Sequence, residues 1–294
     1  MHVRVIIINV DTIGYAALAA ASARRHLPFE ITFIDCSRAK QQIEAGKNLA
    51  RTLDIQYERW PLDIHGRTLD KIFRTTNSDL LILVDSDAEI LDARPMLSEI
   101  DKGLCPEEYG IAWEQPTGPA IEARSPITLY MARPWIPFCA FAAPKVRKLL
   151  DDGVSFAAYR IQNDMLWLPA PMRNLLAYRR LFPGLRALKL QSLQSTQRQV
   201  DGWTAPYIDF DTGAALHRAA DQHGMKLRQL DWANHGQTVF HVHGGTRRRL
   251  HFWMRNHNAG SESRNRALEK LQEKYGLEIS ETLLDEIRHA ENSQ

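Results

Sequence analysis

The sequence has 294 residues, 44% of them hydrophobic, which is enough to bury a large core in one big α/β domain or two modest ones. Its 37 lysines and arginines nearly balance 35 aspartates and glutamates, so the net charge of +2 gives no overall case for nucleic-acid binding. Three widely spaced cysteines favour buried thiols in a reducing compartment, and the apolar N-terminal stretch is too short for a signal peptide or a membrane span, so we expect a cytoplasmic protein that is soluble or peripheral to a membrane.

The first 92 residues alternate predicted strands and predicted helices. Short apolar runs predict strands at residues 3–10, 30–34, 55–60 and 80–84, and near-helical apolar spacing predicts helices at residues 14–25, 39–53 and 67–76. Regular alternation of this kind predicts an α/β fold with a Rossmann-like, mostly parallel sheet flanked by helices. Ligands bind such sheets beyond the carboxyl ends of the strands.

Two aspartates follow the most apolar of these predicted strands. The run from Leu80 to Val84 ends in Asp85-Ser86-Asp87, so a buried strand delivers two carboxylates to the edge of the sheet. Because like charges placed together repel each other, we expect the fold to supply a cation between them, and a divalent metal that holds a phosphate is the first interpretation. In the alternative interpretation, one aspartate caps the next helix and the other is solvated.

The pattern changes after Asp87, and the second half is predicted to be mixed. A helix is predicted at residues 95–100, turn chemistry at residues 115–119, and short strands at residues 111–114, 128–131 and 138–142. The run from Asp209 to Gly213 opens a predicted helix that continues through His223, and strands follow near residues 226–230 and 238–243. The charged tail from Glu262 onward is predicted to be helical, with apolar stripes that pack on the domain.

Taken in order, these motifs resemble the GT-A glycosyltransferases, and among them the inverting enzymes of family two. The resemblance covers roughly residues 3–249 and is carried by the alternating first half, the Asp-x-Asp at Asp85, the Asp-rich helix start at Asp209 and a downstream strand that ends in histidine. It implies a GT-A catalytic domain at residues 1–260, with a nucleotide-binding half at 1–92 and an acceptor half at 93–260, followed by a C-terminal helical tail at 261–294.

The resemblance also implies an activity. The chain would move a hexosyl or deoxyhexosyl group from a nucleoside-diphosphate sugar to a glycan or lipid-linked saccharide acceptor, as in polysaccharide biosynthesis, with inversion at the anomeric carbon. A metal would neutralise the charge that develops on the two departing phosphates. Nucleic acid is not among the implied partners.

By the same resemblance, Asp87 is a ligand of Mn²⁺ or Mg²⁺, and Asp85 serves the sugar or nucleotide of the donor. Carboxylate oxygens suit these hard cations. A histidine from late in the chain is also implied at the metal: His241 has the family's spacing, and His243 lies two residues further on the same strand face. The alternative for either histidine is a buried imidazole that is satisfied by a hydrogen bond.

Three further residues are implied at the donor. Asp11 and Asp35 follow the first and second predicted strands, where such enzymes hold the base and ribose, and Arg247 has a guanidinium that matches the oxygens of a diphosphate. The alternative for Asp11 is a helix N-cap, and the alternative for Asp35 is a turn residue.

The general base of inverting transfer is implied to be an aspartate at the start of a helix in the second half. Asp211 is placed first because Thr212, Gly213 and the helix follow it directly, and Asp209 is the nearest rival. The family often has Glu-Asp where this sequence has Asp-Phe-Asp. In the alternative interpretation, Asp211 only caps the helix.

Acceptor recognition is expected between the sheet and this base, in a neighbourhood made by Trp113, Glu114, Arg133, Trp135 and Pro137. The segment at residues 165–200 contains no acidic residue but several arginines among leucines and aromatics. This composition suggests an insertion that binds an anionic membrane surface at the inner face of the membrane, or one whose leucines pack on the domain while its arginines are solvated.

Two rival functions stay open at the level of sequence. An apolar strand followed by Asp-x-Asp also begins the motif of haloacid dehalogenase-like phosphohydrolases, in which Asp85 would be the covalent nucleophile, although Glu89 stands where that motif has Thr or Val. A non-catalytic nucleotide-sugar-binding protein on the same fold is the second rival, because fold alone does not imply catalysis.

Overall fold

A computed structural model describes residues 1–119, 128–163, 190–193, 207–241, 259–276 and 279–292. The predicted alternation is present in the first half of the chain. The strands are β1 (Val3–Asn9), β2 (Glu30–Asp35), β3 (Gln56–Arg59) and β4 (Leu80–Asp85), and the helices between them are α1 (Ile13–His26), α2 (Lys40–Thr52) and α3 (His65–Thr75).

The second half has shorter elements. They are β5 (Ala88–Ile90), α4 (Arg94–Asp101), β6 (Glu108–Ala112), β7 (Glu114–Gln115), β8 (Gly118–Pro119), β9 (Thr128–Tyr130), β10 (Arg133–Pro134), β11 (Phe138–Ala142), α5 (Ala143–Asp151), β12 (Tyr159–Asn163), β13 (Leu190–Leu193), β14 (Tyr207–Phe210), α6 (Ala214–Gln222), β15 (Lys226–Gln229), α7 (His235–Thr238), β16 (Val239–His241), α8 (Ala259–Tyr275) and α9 (Glu281–Asn292). The helix predicted to open at Asp209 therefore begins at Ala214, because residues 207–210 continue as a strand instead.

A seven-stranded sheet organises these elements in the order β15-β6-β11-β4-β1-β2-β3. Strand β1 pairs in parallel with β2 and β4, β2 pairs in parallel with β3, and β15 pairs in parallel with β6. Strand β11 runs antiparallel to both β4 and β6. The predicted fold class, an α/β protein with a mostly parallel sheet, flanking helices and a mixed second half, is confirmed.

Strand β4 has apolar neighbours on both faces of the sheet. Leu80, Ile82 and Val84 belong to the core layer that α1, α2, α8 and α9 cover, whereas Leu81 and Leu83 belong to the layer beneath α3, α5 and α6. Since successive side chains of a strand point to opposite faces, a continuous apolar run is what a strand buried on both sides requires.

Three smaller sheets surround the central one. The strands β13, β12, β14, β9 and β8 form a five-stranded sheet in that order, β7 pairs with β10, and β5 pairs with β16. The last pair is antiparallel and places the segment after β4 against residues 239–241, far along the chain. This pairing positions the candidate site.

The C-terminal helices pack on the domain, as predicted for the tail. Leu271 and Tyr275 of α8 and Leu283, Leu284 and Ile287 of α9 are buried in the same core layer as β1 and β4. Among the described helices, none combines the length and the apolar composition that crossing a bilayer would need.

The expectation of buried thiols is correct for two of the three cysteines. Cys36 and Cys139 are buried, and burial raises the pKa of the Cys36 thiol to about 11. Cys105 is exposed, because it lies in the loop between α4 and β6.

Candidate metal centre and active site

The paired aspartates lie where two strands meet. Asp85 is the last residue of β4, and its backbone N–H donates to the carbonyl of Pro137 at 3.0 Å. Asp87 immediately precedes β5 and is 5% exposed. Ser86, between them, lies 3.5 Å from Thr12 through their hydroxyl oxygens. The turn that carries both carboxylates is therefore fixed from the sheet and from the loop after β1.

His241 reaches these carboxylates through the pairing of β16 with β5. It lies opposite Ala88, the residue after Asp87, and its Nε2 is 3.1 Å from Asp87 Oδ1. Asp85, Asp87 and His241 each offer one ligand atom, and these three atoms all lie within 4.8 Å of one another. The structure thus brings together two of the three residues predicted at the metal, Asp87 and His241, and it adds Asp85, which the sequence placed at the donor.

The charges of this cluster fit a divalent cation. Burial raises the pKa of the Asp85 carboxyl, with neighbouring Asp87 adding to the rise, while His65, His241 and Arg133 act in the opposite direction. A doubly charged ion compensates two carboxylates that are close together and poorly solvated. Carboxylate oxygens and an imidazole nitrogen are ligands that Mn²⁺ and Mg²⁺ sites use. The residues present therefore fit such a metal.

Asp11 lies in the loop after β1 and is 4% exposed. Its backbone has φ +50°, a left-handed conformation that aspartate tolerates better than most residues. Its Oδ1 accepts the backbone N–H groups of Arg38 at 2.8 Å and Ala39 at 3.3 Å, and Arg38 Nε donates to Oδ2 at 3.2 Å. The carboxylate therefore ties the loop after β1 to the start of α2, and the cap of α1 that the sequence offered as the alternative falls instead at Thr12.

Asp35, at the end of β2, is fully buried. Its carboxylate accepts hydrogen bonds from Tyr57 at 2.7 Å, from the backbone of Ser37 at 3.0 Å and from the Asn9 amide at 3.2 Å. These three donors engage both carboxylate oxygens. Asp35 thus holds the turn after β2 together, which agrees with the alternative interpretation of Asp35 as a turn residue.

The two candidate bases differ in exposure. Asp209 lies on β14, between β12 and β9, and is 9% exposed, whereas the Asp211 side chain is 32% exposed. Asp211 Oδ2 lies 3.1 Å from Arg133 Nη1, and its Oδ1 accepts the backbone N–H of Thr212 at 2.8 Å. Asp211 is not the side-chain cap of α6, because the residue at the cap position is Gly213, whose φ of +85° suits glycine.

Arg133 connects this base candidate to the carboxylate cluster. It forms an ion pair with Asp211, and its positive charge also opposes the rise in the pKa of the Asp85 carboxyl. Arg133 is the first residue of β10, which pairs with β7. Arg133 was predicted in the acceptor neighbourhood, and it pairs with the candidate base.

Two aromatic residues predicted at the acceptor belong to the core. Trp113 is fully buried and Trp135 is 4% exposed, and their rings meet edge to face at 5.7 Å. Trp135 also packs against His241, with 5.5 Å between ring centroids. Rings buried to this extent cannot stack on a sugar, so the role of these two residues is to pack beneath the site.

Sequence reasoning missed two residues near the site. His65, the first residue of α3, has its Nε2 3.9 Å from Asp85 Oδ1 and a side chain that is 40% exposed. Trp232 is 45% exposed, and its indole Nε1 donates to the carbonyl of Glu114 at 3.1 Å. The position of His65 at a helix start beyond a strand was a signal in the sequence, whereas nothing in the sequence distinguishes Trp232 from the buried tryptophans.

Several predicted residues fall outside the described part of the chain. They are Arg247, His243 and, apart from residues 190–193, the whole basic segment 165–200.

No family model matches the sequence, and no curated protein matches it. Among solved structures, a mannosyltransferase from Pyrobaculum calidifontis in complex with GDP-Man and Mn²⁺ is 12% identical with a TM-score of 0.40, over 51% of this chain and 46% of that chain. TarS from S. aureus in complex with UDP-GlcNAc is 14% identical with a TM-score of 0.34, over 51% of this chain and 48% of that chain. The chain therefore spans about half the length of these two proteins.

A third match is glucosyl-3-phosphoglycerate synthase from Mycobacterium tuberculosis in complex with Mn²⁺, UDP and glucosyl-3-phosphoglycerate. It is 11% identical with a TM-score of 0.36, over 65% of this chain and 70% of that chain. All three TM-scores are below 0.5.

Proposed function

We propose that this protein is a metal-dependent glycosyltransferase that uses a nucleoside-diphosphate sugar and a glycan or lipid-linked saccharide acceptor. The observation that carries the proposal is the cluster of Asp85, Asp87 and His241 at the carboxyl edge of a mostly parallel sheet, where such folds bind nucleotides. A divalent ion bound there supplies a Lewis acid for the departing diphosphate. Asp87 and His241 are the proposed metal ligands. Asp85 is a third ligand or a contact to the donor sugar.

Asp211 is the proposed general base. As the acceptor oxygen bonds to the anomeric carbon, the bond from that carbon to the diphosphate breaks, and the acceptor proton passes to the Asp211 carboxylate. The support is its partial exposure and its ion pair with Arg133, which orients the carboxylate. Asp209 is the rival base, and attack opposite the diphosphate gives inversion.

The donor side rests on the loops after β1 and β2. Asp11 and Asp35 were expected to contact the base and ribose, and their carboxylates are engaged within the protein. We therefore propose that they hold the shape of these loops. The loop after β1 contacts the metal-site turn through the hydroxyls of Thr12 and Ser86. Arg247 is retained as the proposed contact to the diphosphate, and His243 as the rival of His241.

The acceptor side includes an aromatic surface. Trp232 exposes nearly half of its side chain, and the hydrogen bond to Glu114 fixes the plane of the indole. A rigid, exposed aromatic face suits the apolar face of a sugar ring. Ring contacts from Trp232 to His235, and from there through Trp135 to His241, connect this surface to the cluster.

Hydrolysis of a panel of nucleotide sugars in the presence of Mn²⁺ tests this proposal. We expect turnover with at least one donor, and the Asp87→Asn variant should lose about a hundredfold or more because it removes a proposed ligand of the cation that would stabilise the departing diphosphate. Asp151→Asn is the matched control, since Asp151 is 61% exposed and pairs with Arg74 at the surface. Full activity of Asp87→Asn would contradict the proposal.

The same preparation separates the two rival functions. Accumulation of a phosphoenzyme that Asp85→Asn abolishes would identify a phosphohydrolase with a covalent aspartate. Nucleotide-sugar binding with no turnover, across a panel of acceptors, would identify a binding protein.

A further inference from the structure

A buried carboxylate lies directly beside the metal-site turn. Glu89, in the middle of β5, is two residues after Asp87, and its side chain is fully buried. Two ammonium groups from α8 reach it: Lys270 Nζ lies 2.8 Å from Oε2, and Lys274 Nζ lies 2.9 Å from Oε1. The Tyr275 hydroxyl donates to Oε1 at 3.3 Å. A buried carboxylate without such partners would be strongly destabilising, so the position of β5 depends on α8.

Lys270 contacts both strands that carry the site. Besides Glu89 on β5, its Nζ lies 4.0 Å from the centroid of the Phe240 ring on β16. Phe240 is the pairing partner of Glu89, and it precedes His241 in the chain. One ammonium group therefore holds together, through an ion pair and a cation–π contact, the two strands that bring Asp87 and His241 to 3.1 Å.

The other C-terminal helix holds the opposite side of the turn. Glu291 of α9 accepts the backbone N–H of Gly14 at 2.9 Å in the first turn of α1, where a carboxylate is favoured by the helix dipole. The Gln42 side chain joins the same two helices, because it accepts from the backbone of Ile13 and donates to the carbonyl of Ala290. Since Thr12 at the start of α1 contacts Ser86, α9 supports the metal-site turn from this side.

We propose that Glu89, together with Lys270 and Lys274, positions the divalent-metal site, so that the C-terminal helices are part of the working catalytic unit. This inference rests on the proposed function, since it takes the cluster of Asp85, Asp87 and His241 as the metal site. Glu89 and the two lysines act through the strands that present the ligands, and none of them is among the proposed ligands. They are positioning residues, comparable in effect to the outer-shell groups that orient metal ligands.

Manganese affinity, measured without any donor, tests the inference. Titration followed by the electron paramagnetic resonance signal of free Mn²⁺ gives the Kd at a temperature well below the Tm of each variant. We expect the Lys270→Met, Lys274→Met double variant to bind Mn²⁺ about tenfold more weakly or worse, as loss of outer-shell partners does. The Lys270→Arg, Lys274→Arg variant should restore the affinity because it keeps both charges.

Lys47→Met is the matched control, because Lys47 forms an exposed ion pair with Glu44 on α2. If the double variant does not fold, the single Lys274→Met variant keeps one ammonium on Glu89 and should weaken binding about twofold or more, the lower range of coupling between linked sites. A lower Tm with an unchanged Kd in the folded lysine variants would overturn the inference, since it would show a contribution to stability alone.

The outcome also separates this inference from the proposed function. Binding by the wild type that Asp87→Asn abolishes, with no effect of the lysine variants, overturns the positioning role and leaves the metal site intact. Absence of Mn²⁺ binding by the wild type overturns both.

Discussion

The ion pair of Asp211 with Arg133 gives the choice between the two candidate bases a physical basis. Asp211 is the more exposed of the two, and it lies beside a guanidinium that also acts on Asp85. We predict that Asp211→Asn lowers sugar transfer by about a hundredfold to ten-thousandfold, the range of general-base assistance. Steady-state transfer rates with saturating donor and acceptor measure this loss.

Asp209→Asn is the comparison for this prediction, because Asp209 is largely buried in the sheet of β12, β14 and β9. Mn²⁺ affinity should be unchanged in Asp211→Asn, which separates a missing base from a damaged metal site. If Asp209→Asn loses transfer while Asp211→Asn keeps it, the two assignments are to be exchanged.

At the scale of residues, the sequence predicted the meeting of Asp87 and His241 but not the neighbours that complete the site. Motif order predicted that pair, and the antiparallel pairing of β5 with β16 brings Asp87, just before β5, to His241 on β16. The hydrogen bonds of Asp35 within the protein could not be predicted, because its partner Tyr57 comes from a strand whose register is set by tertiary packing. The burial of Trp113 was equally unpredictable, because composition does not distinguish a core tryptophan from an exposed one.

At the scale of elements, a single arginine fixes the edge strand β15. Arg228 donates to the Glu108 carboxylate on β6, to the carbonyl of Glu99 at 2.9 Å and to the carbonyl of Gly103 at 2.8 Å. The hydrogen bonds from Arg228 lower the pKa of the Glu108 carboxyl below its ordinary value of 4.5. Strand β15 is thereby joined to both β6 and the end of α4.

We predict that Arg228→Met lowers the free energy of unfolding by about 1–3 kcal/mol at pH 7, the cost of losing hydrogen bonds to a charged group. Because the folded-state pKa of Glu108 is lowered, its stabilising contribution is present above pH 4.5 and is lost as the pH falls through the folded-state value. The difference between wild type and variant in urea denaturation should therefore shrink from pH 5 to pH 3.

The control for this prediction is Arg288→Met, which removes an exposed ion pair with Asp285 and should leave unfolding unchanged. A difference between wild type and Arg228→Met that stays constant with pH would show that Arg228 stabilises only through the carbonyl contacts.

Element prediction was accurate where the pattern was strong and failed where it was short. Strand β4 has five consecutive apolar residues and was placed with its C-terminal end only one residue short. The aspartates and glycine at residues 209–213 have the composition of a helix cap and predict a helix start, whereas residues 207–210 form strand β14. Pairing with β12 and β9 overrides that local preference.

At the scale of the whole molecule, the metal site and the fold are thermodynamically linked. An ion that binds only the folded chain stabilises it by about 2.7 kcal/mol at a hundredfold excess over its Kd. For a chain of this length, we predict that Mn²⁺ raises the Tm by on the order of 5 °C, and that EDTA reverses the rise. Differential scanning calorimetry with and without the ion measures it.

The variants already defined test whether this shift comes from the cluster. Asp87→Asn should abolish the rise in Tm, and Asp151→Asn should retain it, because only Asp87 belongs to the cluster. An equal rise in both variants would place the bound ion elsewhere in the molecule.

The overall architecture, with the C-terminal helices packed on the domain, followed from the sequence, but the polar contacts of these helices with β5 did not. The stripes of leucine and isoleucine predicted that residues 262–294 pack on the domain, and α8 and α9 do share the core with β1 and β4. The contacts of Lys270 and Lys274 with Glu89 could not be predicted, because on a charged helix these lysines look like ordinary solvated residues.

The antiparallel pair of β5 and β16 has a consequence for biosynthesis. Asp87 and His241 are separated by 154 positions in the chain. At translation rates of 5–20 residues per second, the ribosome needs roughly 8 to 30 s to make the intervening segment. During that interval the two aspartates have been synthesised without their histidine, and the lysines that neutralise Glu89 are made later still. The site is therefore completed late, and a chain whose synthesis stops before β16 has the central strands of the sheet but neither His241 nor the lysines that neutralise Glu89.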